Sequence, residues 1–331
     1  MKNKYHRNLF RNPLLALALA SGMAHAGTAE VAAPVAPASP EWLSVSGYAG
    51  IAYTYNDNTN NETFADGGSP LDAVKVGFTG DFGAIGAYTS LFYVPGQADE
   101  AGILDAYLTY KTGDFTFTAG KYLSWLGYEA FDLVNMTQLT YANNVLGAIP
   151  AYHMGLKVDY STDIWGAGLN VSDSIRGGTG FFEGDEDFSN GLGYEAYVSY
   201  KGIDKLTVWA GLGIDDTDGL VTSQTYDLWA SYALTDKLTV AAEIVFHDRG
   251  AVEGFQALAY AQYAFTDKFS TVFRFGTDSQ DAVGVSDENR YTVSPTYAFN
   301  ENFLLRSELT YIQAHTGGDG VFSGIQAVLK F

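Results

Sequence analysis

Residues 254–265 read Gly-Phe-Gln-Ala-Leu-Ala-Tyr-Ala-Gln-Tyr-Ala-Phe. Side chains of an extended strand alternate between its two faces. One face of this stretch therefore carries Phe255, Ala257, Ala259, Ala261, Tyr263 and Phe265, with rings at the ends and methyl groups between them. Tyr194, Ala196, Val198 and Tyr200 repeat the arrangement, as do Tyr226, Leu228, Ala230 and Tyr232. A soluble sandwich has no cause to sort side chains by height along a strand. A bilayer does, because amphipathic rings favour the headgroup level while the hydrocarbon accepts Ala, Val and Leu.

The same period of two runs from Trp42 to the end of the chain. Sixteen segments carry it, from 43–55 through 152–160 and 237–247 to 321–331. Most span nine to thirteen residues, the length a tilted strand needs to cross a bilayer and well beyond the ~5–6 usual in soluble proteins. One set of connectors is tight, such as Thr112-Gly113-Asp114, Thr235-Asp236 and Asn300-Glu301. The other set is mostly longer and polar: 56–70, 122–151, 173–190, 215–222, 248–253, 277–287 and 314–320. Asp204, Asp236 and Asp267 each open a similar strand, so a hairpin period is visible without the fixed consensus of a solenoid. The expected fold is all-β: a transmembrane antiparallel β-barrel of about 16 strands, with short periplasmic turns and long extracellular loops. Pro295 falls inside a strand and cannot donate to the ladder, so a local bulge is expected there.

The first 26 residues form an export signal. Lys2, Lys4, Arg7 and Arg11 precede the apolar run Leu14–Ala20, and Ala24-His25-Ala26 presents small residues for cleavage. That run is too short to span a membrane, which takes about 20 residues. Residues 27–41 are Ala/Pro-rich and read as a periplasmic linker, and 42–331 as the barrel. The chain has 18 Lys+Arg against 38 Asp+Glu, and without the signal the net charge falls to −24. This acidity argues against nucleic acid as a partner. With no cysteine, neither a disulfide frame nor a thiolate metal site exists. No cofactor is expected.

The alternation sends many charges inward. Lys75, Asp105, Lys157, Asp159, Glu195, Lys205, Asp227, Lys237, Glu243, Lys268, Arg274, Arg290, Arg306 and Glu308 all fall on the polar face. A barrel of this size leaves an aqueous lumen, and charges of both signs keep it wet. The connector 122–151 is the longest, and too apolar to extend into water, so it is expected to fold against the inner wall. It carries Glu129 and Asp132, while Arg274, Arg290 and Arg306 lie on three consecutive strands. Two readings stay open: an acidic loop facing a basic wall across a constriction, or arginines that pair with Glu308 and loop acids to satisfy the interior. The acidic stretches 183–187 and 278–288 could hold Ca²⁺ or Mg²⁺. Their spacing fits no defined calcium loop, and solvated loops bridged to lipopolysaccharide are the simpler reading.

Residues 119–155 resemble the OmpL-like β-barrel porin family of bacterial outer membranes. The resemblance rests on Ala119-Gly120-Lys121-Tyr122, Leu126-Gly127-Tyr128-Glu129, Asn135, Ile149-Pro150, and His153 with Gly155. It implies a passive porin of a Gram-negative envelope, and structural roles for Gly127, Tyr128, Glu129 and His153 in or beside the long loop. The chain ends on Phe331, preceded by Ile325, Ala327 and Leu329 at alternate positions. That ending resembles the signal read by the barrel-assembly machinery, with Leu329 where an aromatic is more usual.

The expected function is diffusion of small hydrophilic solutes and ions through the outer membrane, with a weak cation preference from the net charge. Lipid, lipopolysaccharide and the assembly machinery are the expected partners, and a homotrimer is suggested by analogy of fold. An enzyme is disfavoured, because the mature chain has only His153, His247 and His315 and none sits in a catalytic context. A closed barrel for adhesion or envelope structure would conduct little. A solute-specific channel would show an aromatic slide, for which Trp209, Trp229, Tyr197 and Tyr260 are candidates.

Overall fold

The computed structural model describes residues 40–57, 61–64, 72–95, 100–142, 149–176, 188–189, 191–217, 222–250, 252–281, 287–315 and 318–331. The signal segment, most of the linker and the acidic stretch 183–187 lie outside them. The strands are β1 (Leu43–Asn56), β2 (Asn61–Phe64), β3 (Val74–Phe82), β4 (Ile85–Tyr93), β5 (Ala101–Thr112), β6 (Phe115–Leu123), β7 (Tyr152–Ser161), β8 (Trp165–Ser172) and β9 (Gly191–Tyr200). They continue as β10 (Leu206–Thr217), β11 (Ser223–Ala233), β12 (Leu238–Asp248), β13 (Glu253–Ala264), β14 (Phe269–Asp281), β15 (Glu288–Ala298), β16 (Phe303–Ala314) and β17 (Gly320–Lys330).

Every neighbouring pair is antiparallel, and β17 returns to β1, from Tyr48↔Lys330 to Asn56↔Phe322. The short β2 pairs with the upper part of β1 while β3 pairs with its lower part. The two therefore share one stave, and the sheet closes as sixteen. All sixteen expected segments are strands; β2 is the one the alternation did not reveal, and β14 runs five residues past its expected end at 276.

Closure is completed at the C-terminus. Phe331 donates its N–H to Gly47 O at 3.0 Å, and Gly47 donates back to Phe331 O at 2.9 Å. A side chain at position 47 would not fit: its Cβ would lie 2.3 Å from Lys75 O and 2.8 Å from the Phe331 ring. Tight turns join strands at one end of the barrel. At that end Gly83 and Gly113 take positive φ (80° and 56°), which glycine reaches without a Cβ penalty.

The outer face is predominantly apolar, with few polar residues such as Thr89 among its described residues. Mid-wall Leu156 and Leu169 are 66% and 63% exposed. Rings gather in two rows: Tyr194, Tyr226, Phe246, Phe255 and Tyr311 toward the loop end, and Phe117, Tyr232, Tyr263, Phe265 and Tyr297 toward the turn end, all exposed. Tyr226 and Tyr232 are six residues apart, about 20 Å along a strand at ~3.3 Å each. At a tilt of about 40° that separation covers roughly 15 Å of height, within the apolar band of about 25 Å that such barrels present. Ile325, Leu329 and Phe331 point outward with them.

Three inward expectations are corrected. Lys205, Lys237 and Lys268 are exposed, at the tight turns rather than in the lumen. Lys205, at φ 61°, reaches across to Asp236 at 2.9 Å, and this contact raises the lysine and lowers the carboxyl from their ordinary pKa values. Lys268 donates to Phe299 O at 3.2 Å. Each stands one residue before its strand begins, where the alternation does not yet hold.

Pro295 makes no bulge. The β15–β16 register is the same on both sides of it, Val293↔Leu309 and Thr296↔Arg306, and the ladder simply skips two residues. Ser294 Oγ donates to Ser307 O at 2.8 Å, on the edge where the proline has no N–H to offer. The bulge lies in β5 instead, between Ser90/Leu91 and their partners. It turns Leu104 and Asp105 inward together, both buried.

The Ser294 hydroxyl replaces a ladder donor where no water reaches. Ser294→Ala should destabilise the barrel by about 1–2 kcal/mol, read as a lower midpoint in urea unfolding from detergent micelles, and Pro295→Thr added to it should recover most of the loss. An unchanged midpoint would show that the hydroxyl contributes nothing.

Candidate functional site

The segment between β6 and β7 enters the barrel. Its described residues, 124–142 and 149–151, meet inward-facing side chains on most staves of the wall. This follows from a backbone problem. A loop placed inside a barrel leaves the hydrogen-bonding of a sheet, and each buried N–H and C=O must find another partner.

Carboxylates of the wall take the N–H groups. Asp227 accepts from Gly127 N at 2.7 Å and Glu243 from Tyr128 N at 2.6 Å. Glu308 accepts from Leu139 N at 2.6 Å, Thr140 N at 3.1 Å, and the Thr140 hydroxyl. The Ser124 hydroxyl donates to Glu195. Arginines take the carbonyls. Arg306, 1% exposed, donates to Leu133 O and Gln138 O, both at 3.2 Å, and to Gln326 at 3.1 Å. Arg274 donates to Thr140 O, and Arg290 to Tyr141 O at 3.4 Å.

The loop's own acids meet bases directly. Glu129 lies 2.6 Å from Arg274, and its two oxygens also accept from Gln138 Nε2 and Ala142 N. Asp132 lies 3.0 Å from Lys75, which also holds Asp105 at 3.0 Å. Arg290 pairs with Glu288 at 2.7 Å, leaving that residue on the wall. Acid and base are thus in contact here rather than facing each other across a gap. Sequence reasoning brought out Arg274, Arg306, Glu308, Glu129 and Asp132, and placed Lys75 and Asp105 inward as they are, but did not join Lys75, Asp105 and Asp132 into one group, because alternation gives the face of a residue and not its partner.

The loop divides the interior. Phe131, Leu133, Val134, Met136 and Leu139 pack with Tyr48, Phe92, Leu104, Tyr152 and Val328 as an apolar core on the β16–β1–β7 side. A cavity of about 430 Å³ remains toward the turn end, beside Tyr48, Lys75, Tyr88, Asp132 and Lys330. On the opposite wall Tyr128 packs against Ala241, Leu258, Tyr260 and Val272. Burial raises the Tyr128 phenol above its ordinary pKa, with Glu129 and Glu243 adding to the shift.

The residues singled out by resemblance sit at the loop's root and along it. Gly127 holds φ 100°, a conformation glycine tolerates, as its N–H turns toward Asp227. His153 is 2% exposed, 3.4 Å from Glu195 and 3.2 Å from Asn170 Nδ2, with the Tyr122 ring edge-on at 5.1 Å. Tyr122 OH donates to Asn170 at 2.6 Å. Lys157 lies over the Tyr122 and Trp125 rings, at 4.3 and 4.8 Å. Near the loop end of the barrel Asp215 gathers Ile175 N and Arg176 N at 2.9 and 3.1 Å, and burial lowers the Arg176 guanidinium to about 10. Asp278 and Glu288 of the second acidic stretch are engaged by Gln256, Gln280 and Arg290.

A family model described as "Putative beta-barrel porin-2, OmpL-like" matches residues 43–327. No curated protein matches the chain in sequence. Among solved structures, OmpF of Salmonella typhi in complex with daunomycin aligns with a TM-score of 0.67 at 12% identity, covering 87% of this chain and 97% of that one. The outer membrane channel DcaP of Acinetobacter baumannii aligns at 0.65 and 11%, with the same coverages. The trimer form of OmpT, an outer membrane protein of Vibrio cholerae, aligns at 0.62 and 13%, covering 87% and 99%. At these identities the structures establish a shared fold. The family match covers most of the chain, which therefore belongs to the OmpL-like β-barrel porins.

Glu308 holds three loop groups at once. Glu308→Ala should free residues 133–142 enough for chymotrypsin to cut the loop at Leu139 or Tyr141 in folded protein, at least about tenfold faster than in wild type, as expected for the loss of ~1.5–3 kcal/mol of charge-assisted hydrogen bonding. Equal cleavage rates would show that the apolar core alone holds the loop.

Proposed function

We propose that this member of the porin family forms a water-filled channel in the outer membrane through which small hydrophilic solutes and ions diffuse passively. The observation that carries this reading is the inversion of the chain's polarity: large apolar side chains outside, and a hydrogen-bonded interior of both charge signs. An aqueous path needs such an interior, and a loop anchored within it sets the width of the path. The cavity beside Lys75 and Asp132 supports space for water next to the loop. The family and fold favour a channel over an enzyme. They favour it equally over a structural or adhesion barrel, which would be silent to current.

The finer parts of the reading follow. The chain is exported, cleaved after Ala26 and assembled through its terminal Phe331, with 27–41 left as a periplasmic linker. Lipopolysaccharide contacts the loops. A homotrimer is supported by the trimer form of OmpT. Arg274–Glu129 and Lys75–Asp132 cancel pairwise, and the excess acidity outside such pairs gives a weak cation preference, limited by screening over about 8 Å at physiological salt. Arg274, Arg290, Arg306, Glu308, Glu129, Asp132, Lys157, Glu195 and Glu243 shape the field along the path.

Purified protein added to a planar bilayer in KCl should give stepwise ohmic conductance, and a salt gradient should give a reversal potential of cation-selective sign. Replacing Arg274 and Arg306 by Gln should increase that preference. Silence at any protein concentration would refute the channel, an anion-selective potential would refute the preference, and unchanged selectivity in the double variant would refute a role for the arginines.

A further inference from the structure

Six rings, four on the inner wall and two from the inserted loop, meet in sequence. Trp125 and Tyr197 touch edge-on at 4.8 Å, Tyr197 and Trp209 stack at 5.8 Å, and Trp209 and Trp229 stack at 5.8 Å. Tyr128 then bridges Trp229 at 5.5 Å to Tyr260 at 5.6 Å. The two stacked pairs are nearly parallel, at 16° and 10°. Tyr197, Trp209, Trp229 and Tyr260 each lie three or four residues from the turn end of their strands, so the belt keeps one height from β9 to β13.

Glycines let the rings lie down. A Cβ at Gly168 would come within 2.3 Å of the Tyr197 ring, and one at Gly211 within 2.3 Å of Trp209. The rings therefore press against the wall. Trp209 and Tyr260 are buried in the belt, while Trp125, Tyr197, Trp229 and Tyr128 keep part of their surface open. Structural packing alone would not require flat aromatic surface to remain open inside a polar lumen.

The chemistry beside the belt selects its ligand. Lys157 already occupies the faces of Tyr122 and Trp125, so a planar cation would compete with a resident charge. The Asp159 carboxylate, which accepts from Tyr197 OH at 3.0 Å, would lose hydration without compensation beside a purely apolar solute. A pyranose ring meets both demands: its C–H face stacks on an indole or phenol, and its hydroxyls reach the carboxylate and ammonium. We propose that the Trp125–Tyr197–Trp209–Trp229–Tyr128 belt binds pyranose oligosaccharides in transit through the lumen. The proposal rests on the channel reading for its physiological meaning, though binding itself does not.

Three of the five tryptophans lie in the belt, and the other two, Trp42 and Trp165, are exposed on the outer face. Folded protein in detergent is titrated with maltohexaose, and with mannitol as a polyol lacking a ring, while tryptophan emission is followed. The proposal expects a saturable change with maltohexaose, none with mannitol, affinity at least about tenfold weaker in Trp229→Leu and Tyr197→Ala, as for loss of a central aromatic anchor, and affinity near wild type in Trp229→Phe. Heat-modifiable gel mobility verifies that each variant is folded. No saturable response, an equal response to mannitol, or unchanged affinity in both ring-deleted variants overturns it. Conductance is measured in parallel: a conducting protein without sugar binding overturns the belt and leaves the channel, whereas binding without conductance leaves the belt and overturns the channel.

Discussion

The structure depends on backbone hydrogen bonds that hydrocarbon cannot supply. An unpaired N–H or C=O facing lipid costs several kcal/mol, so no strand edge can remain open. The β1–β17 ladder removes the last edge, and Phe331 pairing with Gly47 carries it to the final residue. Pro295 shows how strict the requirement is. Where the chain loses one donor, the side-chain hydroxyl of the preceding residue takes its place instead of a change of register.

The same requirement governs the interior. The β6–β7 loop leaves the ladder inside the barrel, where its backbone needs partners that the sheet has already used. Wall carboxylates accept its N–H groups and wall arginines donate to its carbonyls, so the charged positions serve as backbone partners as well as sources of field. Pairs such as Arg274–Glu129 are deeply buried and held by several further hydrogen bonds each. That satisfaction is the condition under which burial of opposite charges is tolerated. The loop is thereby fixed across the lumen, with an apolar core against one wall and Trp125 and Tyr128 joining the aromatic belt on the other.

Most of the fold was legible because a bilayer imposes a period and a height on every strand. Tyr226, Leu228 and Tyr232 announce an outer face without reference to any other residue. Inward charges were equally legible mid-strand, as with Glu195, Glu243 and Arg306. The reading failed where the period has no hold. Lys205, Lys237 and Lys268 sit in turns just before their strands, and β2 is too short to show alternation. The loop's entry into the lumen was readable from its apolar content, but not which wall residue meets which loop atom. Glu129 and Arg274 are 145 positions apart, and only closure of the barrel brings them to 2.6 Å. The belt was glimpsed as four candidate rings, yet Trp125 and Tyr128, which extend it, belong to a loop with no periodicity to read.

The central claim is that lipid lies on one side of each strand and water on the other. The chain has no cysteine, so single cysteines can be introduced one at a time along β11 from 226 to 232. Protein reconstituted in vesicles is labelled with an environment-sensitive thiol probe and quenched either by brominated lipid or by a water-soluble quencher. The account predicts strict alternation, with 226, 228, 230 and 232 quenched from lipid and 227, 229 and 231 from water or shielded from both. Uniform quenching along the strand, or alternation of the opposite phase, would contradict it.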